Sequence, residues 1–171
     1  MDYIDKYVSR NYSNSKVSNG TYGKIIKIDD ERVLKVTDKL NSDETTYLRQ
    51  NIQEAVFLST VRHDNIIDCK SVKIHQNKIF VELERGEITL HDFICKNDFT
   101  HRITKLNNIL FQLIKVLYFL HSNGFIHGDL KPNNIIYNTN TDIIKLIDFG
   151  GICSFRLSNS HRPICTQSFC P

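Results

Sequence analysis

Two short segments in the second half of the chain carry polar residues that could do chemistry. The first is "IHGDLKPNNII", residues 126–136, in which Asp129, Lys131 and Asn134 lie between isoleucines. The second is "KLIDFGG", which contains Asp148. Polar side chains placed this densely between apolar ones are typical of a loop held on a rigid scaffold. Carboxylate and amide oxygens suit a hard cation, and a carboxylate can also accept a proton.

Three features of the first half of the chain could act together with those segments. Gly20 and Gly23, in "VSNGTYG", lie between two predicted strands, where glycine lets backbone N–H groups approach phosphate oxygens. Lys35 lies in the apolar strand "VLKV", where it either snorkels from a sheet edge or is held inward by an anion. Glu54 is the one acid in the apolar helix "NIQEAVFL" and, taken alone, would be a solvated surface residue. No single feature predicts a function.

Taken together and in this order, the motifs resemble the eukaryotic protein-kinase family. That family combines a glycine loop, a strand Lys, a helix Glu, the sequence H-R-D-x-K-x-x-N and the sequence D-F-G. The resemblance covers about residue 12 to the end of the chain. It implies an α+β fold with the two lobes of a protein kinase, in which a small antiparallel-sheet N-lobe with one helix precedes an incomplete helical C-lobe.

The resemblance divides the chain into three parts. Residues 1–11 form an N-terminal extension, residues 12–84 the kinase N-lobe, and residues 85–171 a partial C-lobe with the catalytic loop, D-F-G and a truncated activation segment. The pattern of residue types agrees, because residues 16–36 and 68–84 each predict a strand hairpin.

Helical periodicity predicts three helices. The first is a short helix within residues 1–16. The second covers residues 51–61, where Ile52, Val56 and Leu58 recur at roughly helical spacing. The third is a strongly amphipathic helix over residues 106–120, which ends near a glycine.

The resemblance assigns a catalytic role to four side chains. Asp129 would accept the proton of an incoming hydroxyl or orient it, and Lys131 would meet the transferring phosphate. Lys35 would hold the earlier phosphates of ATP, and Glu54 would brace Lys35. Phosphoryl transfer requires neutralisation of the phosphate charge and alignment of the reacting oxygens, and it needs little covalent catalysis. These residue types suit that task.

The same resemblance implies where ATP and Mg²⁺ would bind. The metal ligands would be Asn134 and Asp148, whose oxygens suit a hard cation. The residues that would contact the nucleotide are Val17, Ser18, Gly20, Tyr22, Gly23, Ile25, Val33, Lys35, Glu82, Leu83, Glu84 and Ile136.

The adenine ring would lie between apolar side chains. Ile25 and Val33 would cover it from above, and Ile136 would lie below it. The backbone of residues 82–84 would offer hydrogen bonds to its edge.

Two further matches indicate the substrate class. The Lys-Pro pair after Asp129 resembles serine/threonine kinases more than tyrosine kinases. Thr166 falls where serine/threonine members carry a Thr in the substrate-docking loop. The function implied is transfer of the γ-phosphate of ATP to Ser or Thr hydroxyls of a protein substrate.

Two departures from the family pattern leave alternatives open. Gly128 replaces the Arg of H-R-D, which in the family pairs with a phosphate on the activation segment, so we expect no phosphorylation switch through this position. The chain ends at Pro171, inside the motif that the family completes as A-P-E. We therefore expect the helix over residues 106–120 to lack part of its packing. The chain is then a fragment, a gene product shortened by a frameshift, or a natural half whose incomplete C-lobe a partner protein covers. The alternative functions are a non-catalytic binding module or decoy, and a small-molecule phosphotransferase of kinase-like fold.

Composition argues against several other classes. The chain is 40% hydrophobic and 24% charged with a net charge of +3, which argues for neither nucleic acid nor a membrane surface as a partner. Five cysteines without a C-x-x-C pair argue against a disulfide framework or a zinc site. The N-terminal residues do not form a signal peptide, and the apolar run "ILFQLIKVLYFL" is too short to span a bilayer. We therefore expect an intracellular, cytoplasmic protein.

Overall fold

The computed structural model of the chain describes residues 17–20, 23–37, 45–75 and 78–154. The helix expected within residues 1–16 therefore lies outside the described residues, as do Tyr22 and Thr166.

The first half of the chain forms a five-stranded antiparallel sheet with the strand order β1-β2-β3-β5-β4. Its strands are β1 (Val17–Gly20), β2 (Gly23–Lys27), β3 (Arg32–Val36), β4 (Cys69–His75) and β5 (Lys78–Glu84). Both predicted hairpins are confirmed, since Lys27 pairs with Val33 and His75 pairs with Lys78. Strand β5 lies between β3 and β4, so its backbone groups face a partner strand on both edges.

Helix α1 (Thr45–Thr60) contacts β4 and β5. The predicted helix is confirmed, but it begins six residues earlier than residue 51. Of the three apolar residues that indicated the helix, Leu58 is buried, whereas Ile52 and Val56 are 42% and 57% exposed. Glu54 is buried as well. Glu54 pairs with a cation of the sheet, so the side of α1 that carries Glu54 faces inward and the opposite side faces outward.

The second half of the chain combines two helices with short strands. The helices are α2 (Leu90–Lys96) and α3 (Phe99–Ser122). The strands are β6 (Ile88–Thr89), β7 (Phe125–Ile126), β8 (Ile135–Asn138), β9 (Ile143–Leu146) and β10 (Cys153–Ser154), which form the sheets β6-β8-β9 and β10-β7. Side chains cap both helices: Thr89 accepts a hydrogen bond from the Asp92 amide, and Asp98 accepts one from the His101 amide. Gly124, with φ of 83°, follows the end of α3, as predicted.

One large apolar core joins the two halves. It includes Leu58 of α1, Leu83 of β5, Val116 of α3 and Leu146 of β9. The segment after α1 also pairs with β9 in parallel, because the Leu146 amide donates to the Asn65 carbonyl (2.8 Å) and the Ile67 amide donates to the Leu146 carbonyl (3.0 Å). These contacts fix α1 and the start of β4 against the strand that leads to Asp148.

One side of helix α3 is apolar and exposed. Of the residues that define its predicted apolar stripe, Ile109, Val116 and Leu120 are buried, whereas Leu106 and Leu110 are 42% and 44% exposed. Further large apolar side chains are exposed along the same helix: Phe99, Ile103, Phe111, Ile114 and Tyr118. The expectation that α3 lacks part of its packing is therefore confirmed within the described residues. The prediction that the apolar run of this helix is too short to span a bilayer is wrong for the helix as a whole, because α3 has 24 residues and is long and apolar enough by length and composition alone. Core helices of globular proteins meet the same criteria.

A buried amide network connects α3 to the segment that precedes β4. The Asn65 side chain is 3% exposed and donates to the Gln112 side chain (2.8 Å) and to the Ile144 carbonyl (2.9 Å). Gln112 in turn donates to the Asp142 carbonyl (2.8 Å) and accepts from the Ile144 amide (3.1 Å). Because each partner is itself satisfied, the network holds the end of α1 and strand β9 in one arrangement.

Asn65→Ala is expected to lower the free energy of unfolding by about 1–3 kcal/mol, because it removes the side-chain donor to the buried Ile144 carbonyl and one of the two donors to the Gln112 side chain. The measurement is urea denaturation of the two proteins. The matched control is Asn107→Ala on the exposed side of α3, which is expected to change stability by less than about 0.5 kcal/mol. Equal losses in the two variants would show that the network contributes nothing specific.

Candidate active site

Lys35 and Glu54 form a buried ion pair between β3 and α1. The Lys35 Nζ atom lies 2.5 Å from Glu54 Oε2 and 3.8 Å from Asp148 Oδ1. The Lys35 and Glu54 side chains are 11% and 5% exposed. The inward alternative for Lys35 is therefore the correct one, and the surface alternative for Glu54 is wrong. The pair leaves the ammonium group pointing at the carboxylate that begins the D-F-G sequence.

Asp129, Lys131 and Asn134 converge in the loop that the sequence singled out. Asp129 Oδ2 accepts hydrogen bonds from Lys131 Nζ (2.7 Å) and from Asn134 Nδ2 (2.9 Å). Asn134 Nδ2 also donates to the Asp129 carbonyl (2.9 Å), and Asp129 and Asn134 are both buried. The one-turn 3₁₀ helix Pro132–Asn134 produces the step that brings Asn134 back to Asp129.

Asp148 has the features of a cation ligand. Its φ of 62° is a left-handed conformation that few non-glycine residues adopt, which is typical of functional sites. Within the described residues, its Oδ1 atom is buried and has no hydrogen-bond partner. The Ile147 amide donates to the Asn134 carbonyl (3.0 Å), so the two segments that carry the predicted metal ligands are bonded together. A buried, unsatisfied carboxylate oxygen beside an amide side chain fits a hard divalent cation such as Mg²⁺.

His127 connects the catalytic loop to an aromatic cluster. Its ring is 4.8 Å from the Phe149 ring, which is 4.7 Å from the Phe57 ring of α1. His127 Nε2 bonds to the Ile147 carbonyl (3.1 Å), and His127 Nδ1 accepts from the Asp129 amide (3.3 Å). The neutral ring with its proton on Nε2 satisfies both contacts. The hydrogen bond from the Asp129 amide to His127 Nδ1 thus fixes the backbone of Asp129.

Burial lowers the pKa of His127 below its usual value, and the nearby charge of Lys131 acts in the same direction. The bond to Ile147 and the carboxylates of Asp129 and Asp148 oppose this shift. Protonation of Nδ1 would also place a second N–H against the Asp129 amide, so the charged ring costs a hydrogen bond.

The lowered pKa of His127 predicts that stability falls on acidification. Between the folded pKa and the unfolded value of about 6.5, the unfolded state binds more protons, so the free energy of unfolding decreases as the pH falls through that window. One such group contributes a slope of at most about 1.4 kcal/mol per pH unit. Urea denaturation between pH 7.5 and 5 is expected to give a smaller slope for His127→Phe than for the unchanged chain. His63, whose pKa is also lowered by burial, adds to the slope in both proteins. Equal slopes would contradict the prediction.

The glycine turn and the strand residues predicted to contact the nucleotide follow the register of the sheet. Gly20 pairs with Gly23 at the end of the β1–β2 hairpin, and Ser18 pairs with Ile25. Ile25 in turn pairs with Lys35.

Val33 continues the same side of the sheet. It lies two residues before Lys35 in β3, and successive side chains of a strand alternate between its faces. Ile25 and Val33 thus share the face that carries Lys35. Val17, the residue before Ser18 in β1, pairs with Ile26.

The predicted backbone hydrogen bonds from residues 82–84 to an adenine edge cannot come from the amide of Glu84. Its amide donates to the Asp68 carbonyl (2.9 Å), and the next amide, that of Arg85, donates to the Glu31 carbonyl (2.7 Å). Glu82 and Leu83 are paired with β3 on one edge and with β4 on the other.

Gly128 has a structural reason to be glycine. Its φ is 82°, and a Cβ atom at this position would lie 2.2 Å from the Gly151 carbonyl oxygen. Gly151 ends the 3₁₀ helix Phe149–Gly151 that follows Asp148. The catalytic loop and the segment after D-F-G therefore touch through their backbones at the position where the family carries an Arg.

Sequence reasoning missed two residues that position the site. Phe57 links α1 to Phe149, but it was not among the apolar residues whose spacing indicated the helix. Asn65 ties the end of α1 to β9, and the only signal for it was a polar residue directly before the apolar pair Ile66-Ile67.

A family model described as protein kinase domain matches residues 12–171 of this chain. The chain belongs to the protein kinase family. A probable serine/threonine-protein kinase of Dictyostelium discoideum is 30% identical over 140 residues, which are 79% of this chain and 27% of that protein. Cyclin-dependent kinase F-3 of Oryza sativa is 30% identical over 100 residues, 58% of this chain and 23% of that protein. Cyclin-dependent kinase-like 5 of Mus musculus is 25% identical over 138 residues, 78% of this chain and 15% of that protein.

The kinase chain thus spans less than a third of the length of these relatives. Membership of the family implies use of ATP, typically with Mg²⁺, and the truncated two-lobe α+β fold agrees with it. The five-stranded sheet with α1 corresponds to the small lobe, and the elements from α2 onward correspond to the large lobe.

Proposed function

We propose that this chain is the part of a serine/threonine protein kinase that binds Mg-ATP and transfers its γ-phosphate to Ser or Thr hydroxyls of a protein. The observation that carries the proposal is a pair of polar clusters from distant parts of the chain, Lys35–Glu54–Asp148 and Asp129–Lys131–Asn134, whose segments are bonded to each other through the backbone of Ile147 and Asn134. Membership of the protein kinase family supports phosphoryl transfer as the reaction class. The relative named as a probable serine/threonine-protein kinase supports Ser or Thr hydroxyls as the acceptors.

Each side chain has a task in this reaction that its contacts support. Lys35, held by Glu54, presents an ammonium group to the phosphates beside Asp148. Asp129 orients the acceptor hydroxyl and receives its proton, and the hydrogen bonds from Lys131 and Asn134 fix its carboxylate in place. Lys131 neutralises charge on the transferring group.

Asn134 and Asp148 are the residues that would hold Mg²⁺, which when bound neutralises phosphate charge and orients the phosphates. Asp148 is preorganised for this by its left-handed backbone, and its buried Oδ1 gains a partner when a cation binds. The amide nitrogen of Asn134 donates to Asp129, so its side-chain oxygen is the atom that would bind the metal.

The first experiment is a thermal melt of the purified chain with and without saturating Mg-ATP. A ligand that binds only the folded state at a hundred times its Kd adds about 2.7 kcal/mol, so a cooperative transition should move clearly upward. Mg²⁺ alone and ATP with excess chelator are the controls. A transition that is unmoved by Mg-ATP would contradict nucleotide binding by this chain.

The exposed apolar side of α3 favours a second candidate function, that of a non-catalytic module that docks on a partner protein. Contiguous exposed apolar surface of this kind marks interaction sites. Asp129→Asn distinguishes the two candidates, because it removes the proton acceptor but leaves α3 unchanged. If cells that carry Asp129→Asn lose the phenotype that the unchanged chain confers, the result supports the kinase. If they keep that phenotype in full, the result supports the docking module.

A further inference from the structure

Gly86 lies against Ile136 without room for a side chain. A Cβ atom built on Gly86 would be 2.6 Å from Ile136 Cγ2, 2.8 Å from Cγ1 and 2.9 Å from Cδ1. Carbon atoms do not approach this closely without displacement. Gly86 does not have the positive φ that favours glycine, since the described glycines with positive φ are Gly124 and Gly128. The glycine is therefore required by the contact with Ile136 and not by its backbone conformation.

The segment around Gly86 is tied down on both sides. The Arg85 amide donates to the Glu31 carbonyl (2.7 Å). The Glu87 carboxylate accepts from the Thr139 amide (2.8 Å) and from the Thr139 hydroxyl (2.6 Å). The carboxylate of Glu84 accepts from Lys145 Nζ (2.5 Å) on β9. The backbone at Gly86 therefore cannot move away from Ile136 without breaking these bonds, so a group added at Gly86 must displace the Ile136 side chain.

Ile136 lies at the predicted lower surface of the base site, two residues after Asn134. It pairs with Thr89 on one side and with Lys145 on the other, so its backbone is fixed in the sheet. Its neighbours Ile135 and Tyr137 are buried in the core, whereas Ile136 is on the opposite face and is half-buried. A β-branched side chain has few alternative rotamers, so displacement moves it away from Gly86 and into the base site.

We propose that Gly86 is a positioning residue that acts through Ile136 and sets the distance between the upper and lower surfaces of the base-binding site. The inference rests on the proposed function, because it concerns the nucleotide of that site. It explains why the chain has a glycine two residues after the end of β5 at Glu84. A side chain at position 86 would narrow the space for a planar base without touching the groups that hold phosphate or metal.

The test is the Kd for Mg-ATP, measured by titration calorimetry on the full chain, for four proteins: the unchanged chain, Gly86→Ala, Ile136→Ala and the double variant. Gly86→Ala is expected to raise the Kd about tenfold or more, which corresponds to about 1.4 kcal/mol. In the Ile136→Ala background the same change is expected to have little effect, because the three atoms that it would meet are absent. Mg-tripolyphosphate, which has no base, is the matched ligand, and Gly86→Ala is expected to leave its Kd unchanged.

The outcomes separate this inference from the proposed function. If the unchanged chain does not bind Mg-ATP, both are wrong. If it binds Mg-ATP but Gly86→Ala binds equally well, only the role of Gly86 is wrong. A loss that persists in the Ile136→Ala background, or that extends to Mg-tripolyphosphate, would also overturn it, since it would show a general structural effect. Melts without ligand confirm that each variant is folded.

Discussion

Asp129→Asn is expected to lower the rate of phosphoryl transfer by about 10²–10⁴-fold, the range for loss of a positioned general base. The substitution keeps the size of the side chain and an oxygen that can accept from Lys131 and Asn134. It removes the negative charge that orients and deprotonates the acceptor hydroxyl. The measurement is transfer of labelled phosphate to a Ser/Thr protein substrate, together with the Kd for Mg-ATP, which is expected to change little.

Asn133→Ala is the matched control for this prediction. Asn133 is exposed in the same loop, one residue before Asn134, and is not among the residues placed at the reaction. Its replacement is expected to leave the rate unchanged. If Asp129→Asn keeps the full rate, Asp129 does not act on the hydroxyl. If it loses Mg-ATP binding instead, its contribution is to the structure of the loop.

Gly128→Ala is expected to destabilise the chain by about 2–6 kcal/mol. Of this, about 1–3 kcal/mol comes from a non-glycine residue at positive φ, and about 1–3 kcal/mol from the contact of the new Cβ with the Gly151 carbonyl. Relief of that contact moves Gly151 and with it the 3₁₀ helix after Asp148, so the affinity for Mg-ATP is expected to fall as well. Gly128→Arg, which restores the residue of the family, is expected to be at least as harmful.

Gly124→Ala separates the two contributions. Gly124 has almost the same φ, 83°, but it lies at the end of α3 and not in the catalytic loop. Its replacement is expected to cost only the backbone strain of about 1–3 kcal/mol and to leave the Kd for Mg-ATP unchanged in the folded fraction. Urea denaturation and calorimetry of both variants give the comparison. Equal effects in the two variants would mean that the contact with Gly151 is unimportant.

The sequence predicted the parts of this protein that depend on local rules. Turn residues and strand-like segments predicted two hairpins of the five-stranded sheet, β2–β3 and β4–β5, and periodic apolar residues predicted α1 and α3. The ordered motifs gave the protein kinase family and the set of residues that meet at the site. These predictions succeeded because hydrogen-bonded turns, helix periods and motif spacings are properties of short stretches of chain.

Only the tertiary structure decided which sides of these elements are buried and which backbone groups remain available. Ile52 and Val56 contributed to the spacing that indicated α1, yet both are exposed, because the Lys35–Glu54 pair places the side that carries Glu54 inward. The sequence could not show that the Glu84 amide is used by Asp68, because that bond joins residues brought together by the register of two strands.

The two glycine contacts were also invisible in the sequence. Gly86 meets a side chain fifty residues later in the chain, and Gly128 meets a carbonyl group beyond the D-F-G sequence. A glycine in a sequence indicates conformational freedom, but it does not indicate which distant atom occupies the space where its side chain would be. The amino-acid sequence thus determined the elements and the chemistry of the site, and the packing between distant segments determined its shape.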